Sequence, residues 1–362
     1  MKTQLTLIAA TLFALTACQP ENTSQSQAPT SAPAPSAEQS ADATLLQQAQ
    51  SMFKPLPTLE ESKQVYTYTD AQVKLGQQLY HEPRLSLGND ISCNTCHGVN
   101  SYGVDPRNTP TSEGHNKQFG ARNSPTSLNA FLLKTQFWDG RAPTVEEQAK
   151  GPLVNPVEMA MPDLDAVVKR VNAIQAYKDA FKTVYADKGG EVNIDNIAHA
   201  IGAFERTLLT PSRWDNYLKG DVNALNAQEK RGLKAFMDNG CITCHTGVNL
   251  TNDSFQKFGL VKGPYWNYIN SKEPHDEGVF EVSQKEEDKY LFRVAPLRNI
   301  AKTAPYFHNG SVNDLGEAVR VMAETQVGKT LSKEDIDAIV AFLGSTTGEV
   351  PAEALVVPEL PK

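Results

Sequence analysis

The chain has 362 residues, 40% of them hydrophobic and 21% charged, which is enough to bury the cores of two domains. The formal net charge of -8 excludes a general nucleic-acid binder, since Lys and Arg are not in excess to neutralise phosphates. No nucleic acid is expected among its partners.

At the N-terminus, Lys2 precedes an apolar run from Leu5 to Leu15, followed by Thr16-Ala17-Cys18. This is the layout of an export signal, too short to cross a bilayer as a transmembrane helix. Ending on a cysteine, it resembles a bacterial lipoprotein signal over residues 1–17, with Cys18 as the acylated first mature residue. The alternative is a plain secretory signal with an incidental cysteine. No later stretch is apolar enough to span a membrane, so lipid is the expected anchor. Residues 18–45, rich in Ser, Pro, Ala and Gln, are expected to form a disordered tether that cannot bury a core.

Beyond the tether the chain repeats itself. Ala71-Gln72-x-Lys74-x-Gly76 opens an expected helix leading to Cys93-Asn94-Thr95-Cys96-His97. Ala227-Gln228-x-Lys230-x-Gly232 does the same before Cys241-Ile242-Thr243-Cys244-His245. The small residues Gly76 and Gly232 let another helix cross closely. Each half then closes on a helical stripe, first Ile194, Ile197, Ala198, Ile201 and Leu208, later Ile336, Ile339, Val340 and Leu343. Ser332-x-x-Asp335 reads as a capping box at the start of the last helix. Ala200-Ile201-x-x-Phe204 matches Ala338-Ile339-x-x-Phe342. The expected fold is mainly α, with two cytochrome c-like domains at residues 46–210 and 211–350, joined near Thr210-Pro211. His199, on the first closing helix, reads as a core or surface residue.

Two cysteines three apart on one turn reach the two vinyl groups of a haem, and the adjacent histidine swings under the iron. Cys93, Cys96, Cys241 and Cys244 are therefore the expected attachment points of two haem c groups, with His97 and His245 as proximal iron ligands. A zinc site would need two more ligands per cysteine pair, and a thioredoxin-like motif would need a βαβ context. The chain has five cysteines, so with Cys18 acylated none remains for a disulfide. The sixth ligand decides the job of each haem, because Met favours electron transfer and an open position favours reaction. Spacing alone leaves His81, His115, His275, His308 and six methionines as candidates.

The intervening segments are more specific. Arg122-Asn123-Ser124-Pro125-Thr126, Phe137-Trp138-Asp139-Gly140-Arg141, Glu147-Gln148-Ala149-Lys150-Gly151-Pro152 and Pro156-Val157-Glu158-Met159 resemble the bacterial di-haem cytochrome c peroxidases. So do Leu297-Arg298-Asn299-Ile300 and Thr303-Ala304-Pro305-Tyr306-Phe307-His308-Asn309-Gly310. The resemblance runs in order from about residue 50 to 345. It implies a peroxidatic N-terminal haem, with His97 as proximal ligand and His115 as a distal ligand released on activation. The variable loop Ser101-Tyr102-Gly103-Val104-Asp105 lies between these two histidines. It also implies an electron-transferring C-terminal haem held by His245 and Met322. Glu158 and Gln148 then correspond to the acid–base pair for O–O cleavage, and Trp138 to the aromatic residue between the haems. Asn123, Thr303 and Pro305 correspond to ligands of a calcium ion, and His308 to a loop residue without a catalytic role.

The implied activity is reduction of hydrogen peroxide with electrons from a small cytochrome c or a cupredoxin. The rivals are a di-haem electron carrier without turnover, and a relative that oxidises a protein substrate in methylamine dehydrogenase maturation. That relative has Tyr where this chain has Met322. A homodimer is implied by the family. The signal puts the protein in the periplasm, and Gln19 after Cys18 favours the outer membrane as the site of the anchor.

Overall fold

The computed structural model describes residues 37–362. The signal over 1–17, Cys18 and the tether as far as residue 36 lie outside the described residues.

Helices begin where a capping residue precedes an apolar stripe. Thr69 caps the helix Asp70–Tyr80 and Asn226 caps Ala227–Asp238, and in each the third helical residue, Gln72 or Glu229, reaches back to the cap backbone. The closing helices are Ile194–Glu205 and Lys333–Ser345. Ser332 accepts from the Asp335 amide at 3.1 Å, but the Asp335 carboxylate turns to Arg231, so the expected capping box is half formed.

Each opening helix crosses its closing helix at a glycine. A Cβ on Gly76 would stand 1.8 Å from the Ala200 carbonyl oxygen, and one on Gly232 would stand 1.8 Å from that of Ala338. Only a residue without a side chain permits such an approach. Leu75, Leu79, Ile201 and Phe204 bury one core around the first crossing, and Leu233, Phe236, Ile339 and Phe342 bury another around the second. The expected mainly α plan of two cytochrome c-like domains follows from this repetition. A short antiparallel pair, Phe255–Lys257 with Leu291–Arg293, braces an aromatic cluster of Phe258, Tyr265 and Phe292, against which Trp138 and Met322 pack.

The joint between the halves is buried. Thr210 Oγ1 accepts from Asn129 Nδ2 and from Asn299 Nδ2, each at 2.8 Å, so one residue from either half grips it. Both asparagines have left-handed backbones, at φ 59 and 62, which asparagine tolerates better than most residues. Beside the joint, Arg298 and Asp215 form a two-pronged pair, both contacts at 2.9 Å and both side chains 1% exposed.

The two ends of the described chain depart from the expected domain limits. The helix Ala37–Met52 starts inside the stretch expected to be a disordered tether. Leu45, Ala49, Met52 and Phe53 fall at helical spacing and join the core of the C-terminal half, with Phe53 edge-on to Trp214 at 5.2 Å. Composition suited to a tether masked a short amphipathic stripe, and residues 46–53 pack with the second domain rather than the first. Conversely, the tail beyond residue 350 lies on the N-terminal half. Ala354 is buried in that core, and the carbonyls of Glu353, Val356, Glu359 and Pro361 accept from Gln77, Gln78 and Arg84.

Candidate functional site

The first motif sits on a single turn, Cys93–Cys96, which His97 terminates. His97 Nδ1 lies 2.9 Å from the Pro125 carbonyl oxygen, an acceptor, so Nδ1 carries the proton and Nε2 is left as a free ligand nitrogen. Burial lowers the His97 pKa and keeps the ring neutral, the form that binds a metal. Tyr80 donates its hydroxyl to the His97 carbonyl at 2.7 Å, tying the turn to the helix Asp70–Tyr80.

His115 stands at the tip of a small hairpin closed by the bridge Glu113 to Phe119. Asn116 and Lys117 both have positive φ, 54 and 57, so the tip is held in a conformation that costs energy for non-glycine residues. The His115 amide donates to the Glu158 carbonyl at 2.8 Å. A Cβ on Gly114 would come within 2.2 Å of the Val157 carbonyl oxygen, so glycine is what allows this approach.

Glu158 lies in the turn after the helix Val145–Val154 and is half-buried. Burial pushes its carboxyl pKa up, and the nearby Arg141 only partly opposes this. Cys96 feels the Glu158 charge, which puts the carboxyl close to the first motif. Gln148 is half-buried on the same helix, and the structure gives its side chain no hydrogen bond to Glu158. The pair expected from the resemblance therefore shares a segment without a hydrogen bond between its members.

The second motif lines a cavity of about 300 Å³ with Cys241, Cys244 and His245 in its wall. His245 Nδ1 lies 3.0 Å from the Leu250 carbonyl, the same arrangement as at His97, and burial lowers its pKa to about 4. Met322 ends the helix Leu315–Met322, whose Leu315, Ala318, Val319 and Met322 form one stripe facing the cavity. Here Met322 and His245 share one space, and the first motif has His115 and Glu158 nearby instead.

Trp138, Asn123, Thr303 and Pro305 line the same cavity. Trp138 Nε1 donates to the Asn123 carbonyl at 2.9 Å, and the Asn123 amide donates to the His308 carbonyl at 2.7 Å. Asn123 Nδ2 donates to the Pro110 carbonyl, which leaves its side-chain oxygen free to serve a hard cation. Among the described residues no group of three or more His, Cys, Asp and Glu side chains is arranged around a metal site.

Three features here escaped the sequence. His308 is 2% exposed and stacks on Phe292 at 4.1 Å, so it belongs to the aromatic core beside Trp138. Arg122 joins Asp139 at 2.5 Å and Asp276 at 2.6 Å, linking the two halves beside Asn123. Arg293 lies buried in the cavity wall. The contacts of all three are distant in sequence, so no local pattern announces them.

The donor set fits covalently bound haem. The four cysteines of the two motifs are free of disulfides, each pair is followed by a neutral histidine with one nitrogen unused, and the second set faces an apolar cavity. Comparison with known proteins agrees. A family described as di-haem cytochrome c peroxidase matches residues 70–223. The cytochrome c551 peroxidase of Pseudomonas aeruginosa is 49% identical over 306 residues, spanning 84% of this chain and 86% of that protein. The cytochrome c peroxidase Ccp of Escherichia coli is 46% identical over 77% of this chain and 59% of its own length. Among solved structures, a MauG-like protein associated with microbial copper homeostasis matches with a TM-score of 0.71 at 24% identity, over 84% of this chain and 96% of that one. That likeness concerns the fold alone.

Proposed function

The chain belongs to the di-haem cytochrome c peroxidase family, and from that premise we propose how its residues divide the work of reducing hydrogen peroxide. It is a cytochrome-c peroxidase, an oxidoreductase acting on hydrogen peroxide and carrying two haem c groups. The reaction takes peroxide, two protons and two electrons to two waters, and the haems supply the electron chemistry when bound.

In this reading the two similar motifs have different jobs. Cys93 and Cys96 would attach the peroxidatic haem, and His97 would hold its iron through Nε2, since Nδ1 is engaged with the Pro125 carbonyl. His115 would be a second, displaceable holder of that iron in the resting enzyme, released on activation. Glu158 then moves a proton from the inner to the outer peroxide oxygen, which turns the leaving oxygen into water. Burial raises its pKa, the direction that favours a group which must both accept and return a proton. Gln148 orients peroxide or water beside it.

Cys241 and Cys244 would attach the second haem, and His245 and Met322, which line the same cavity, would hold its iron. A thioether ligand favours the reduced iron and so a high potential. Trp138, in the wall of the second cavity, would carry the electron path between the two groups. Asn123, Thr303 and Pro305 bind calcium through oxygen, beside the Arg122 link between the halves, and calcium favours the active arrangement.

The electron donor is a small c-type cytochrome or a cupredoxin that docks near the second haem. The protein works in the periplasm as a homodimer, held to the outer membrane by lipid on Cys18. Among the described residues no helix is long and apolar enough to cross a membrane, which leaves the lipid as the proposed anchor. Residues 46–210 and 211–350 serve as the peroxidatic and electron-transferring domains, apart from the exchanged ends described above.

The observation that carries the assignment is the asymmetry of the two sites, Met322 beside His245 and Glu158 with His115 beside the first motif. The test is stopped-flow peroxide reduction by the half-reduced protein with reduced donor, with and without calcium. Turnover after half-reduction, faster with calcium, is expected. Activity in the fully oxidised protein equal to that of the half-reduced one would overturn the gating.

A further inference from the structure

Arg293 is 4% exposed in the wall of the second cavity, and its guanidinium is incompletely used. Nε donates to the Phe137 carbonyl at 3.1 Å, and the Arg293 amide donates to the Trp138 carbonyl at 2.9 Å. Nη1 has no hydrogen-bond partner.

The neighbouring negative charges compensate it only in part. Two carboxylates act on Arg293 electrostatically, Asp253 and Asp139, and neither forms an ion pair with it. Asp139 is taken by Arg122 at 2.5 Å and Arg141 at 2.8 Å. Asp253 lies beyond pairing distance, and its Oδ1 is also without a partner. Burial pulls the Arg293 pKa down to about 10, which still leaves it charged at neutral pH. A buried guanidinium in the wall of an apolar cavity, with no ion pair, is costly, and an anion brought in by the ligand would offset that cost.

Haem c brings two anions. Its propionate carboxylates sit on the edge of the ring opposite the thioether bonds. Cys241 and Cys244 mark the thioether edge of the cavity, and the same cavity has Trp138 and Arg293 in its wall. We infer that the Arg293 guanidinium receives a propionate of the second haem in a charge-assisted hydrogen bond. This rests on the reading that Cys241, Cys244 and His245 hold that haem.

The arrangement gives Arg293 two tasks. Its cation at the ring edge disfavours the added positive charge of the oxidised iron, which raises the potential of the second haem. Through Nε and its amide it also holds the Phe137-Trp138 backbone against the same haem edge. The anchor of the haem and the anchor of the inter-haem tryptophan are thus one residue. Arg293 acts on position and potential and takes no part in the peroxide chemistry.

The test is a series, Arg293→Lys, Arg293→Gln and Arg293→Met, in the full-length di-haem protein. Covalent haem content is measured first, and two haems per chain are expected in every variant. Loss of the second haem from a Cys241→Ser, Cys244→Ser variant checks the underlying reading separately. Spectroelectrochemical titration then gives the potential of each haem. Gln and Met should shift the reduction equilibrium of the second haem about tenfold towards the oxidised form, ~59 mV for one electron. Lys should keep most of the wild-type value, and the first haem should stay within a third of the shift. The propionate bending band of the second haem in resonance Raman spectra should move in Gln and Met. Unchanged potentials in Gln and Met would overturn the inference. So would a fall in Lys as large as in Met, since that would trace the effect to the Phe137 carbonyl bond rather than to charge. If the Met variant does not fold, Lys against Gln makes the same comparison.

Discussion

The main-chain amide of His115 donates to the main-chain carbonyl of Glu158 at 2.8 Å. The proposed displaceable ligand and the proposed proton carrier are therefore joined directly, although they come from separate segments. The rest of the hairpin tip bonds mostly to itself, as in Gly114 to Gln118 and Lys117 to Gly114. Withdrawing His115 thus breaks few contacts, each worth about 0.5–1.5 kcal/mol net, while acting on the backbone of Glu158. A tip already strained at Asn116 and Lys117 suits such a movement.

His115→Ala is expected to remove the need for activation. The oxidised variant should bind peroxide or cyanide at the first haem without prior reduction, and turnover should start without a lag. Visible spectra with added cyanide check this directly. A variant that still requires half-reduction would show that His115 is not the gate.

Glu158→Gln should lower kcat by roughly 10²–10⁴, the usual contribution of a positioned acid–base group, with two haems still attached. In the wild type the pH profile carries the sign of the shift. Burial raises the Glu158 pKa above the ordinary carboxylate value of about 4.3, so the base form is lost earlier as pH falls. The acid limb of kcat/KM should therefore lie above that value and vanish in the Gln variant.

Met322→His should lower the potential of the second haem by roughly 0.2–0.4 V, within the ~0.8 V range that axial ligands span. Driving force towards the first haem then changes, and half-reduction no longer activates at the same applied potential. Redox titration followed at the visible bands of each haem is the check.

Gly76→Ala and Gly232→Ala should each cost about 1–3 kcal/mol or more, because the added methyl meets a carbonyl oxygen 1.8 Å away. Gly344, on the helix Lys333–Ser345, has nothing within 4 Å of such a methyl. Gly344→Ala should be neutral or stabilising by ~0.4–1 kcal/mol. Urea unfolding of the three variants separates packing from helix propensity.

Asp215→Ala should destabilise by about 3–5 kcal/mol, since it leaves the Arg298 guanidinium buried and unpaired. Burial alone would raise the Asp215 pKa, but Arg298 and the amides of Leu56 and Ser212 outweigh it and hold the carboxyl below its usual range. A carboxyl lowered by folding stabilises the fold above its unfolded value of about 3.9, and that contribution is lost as pH falls through the folded value. The wild type should therefore lose more stability than the variant in acid, as followed by denaturant midpoints below pH 5.

Local chemistry was legible in the chain itself. Two Cys-x-x-Cys-His turns in one repeated chain led to the expectation of two haems, and Ala-Gln-x-Lys-x-Gly before each of them announced two related halves. The helix crossings followed because a glycine at a repeated position has few other uses. The resemblance extended this to Glu158, His115 and Met322, each within a recognisable segment. What only the tertiary structure decided depends on partners far apart in the chain. Leu45 and Phe53 found their core around Trp214, the tail after residue 350 settled on Gln77 and Arg84, and Thr210 was gripped by Asn129 and Asn299. Arg293 belongs with these. On a three-residue strand nothing local marks it, and its meaning comes from burial in a cavity wall that it shares with Trp138, Cys241 and Met322. Periodicity and motifs report what a residue does to its neighbours in sequence. Which charge is left unpaired is decided only when distant segments have closed around it.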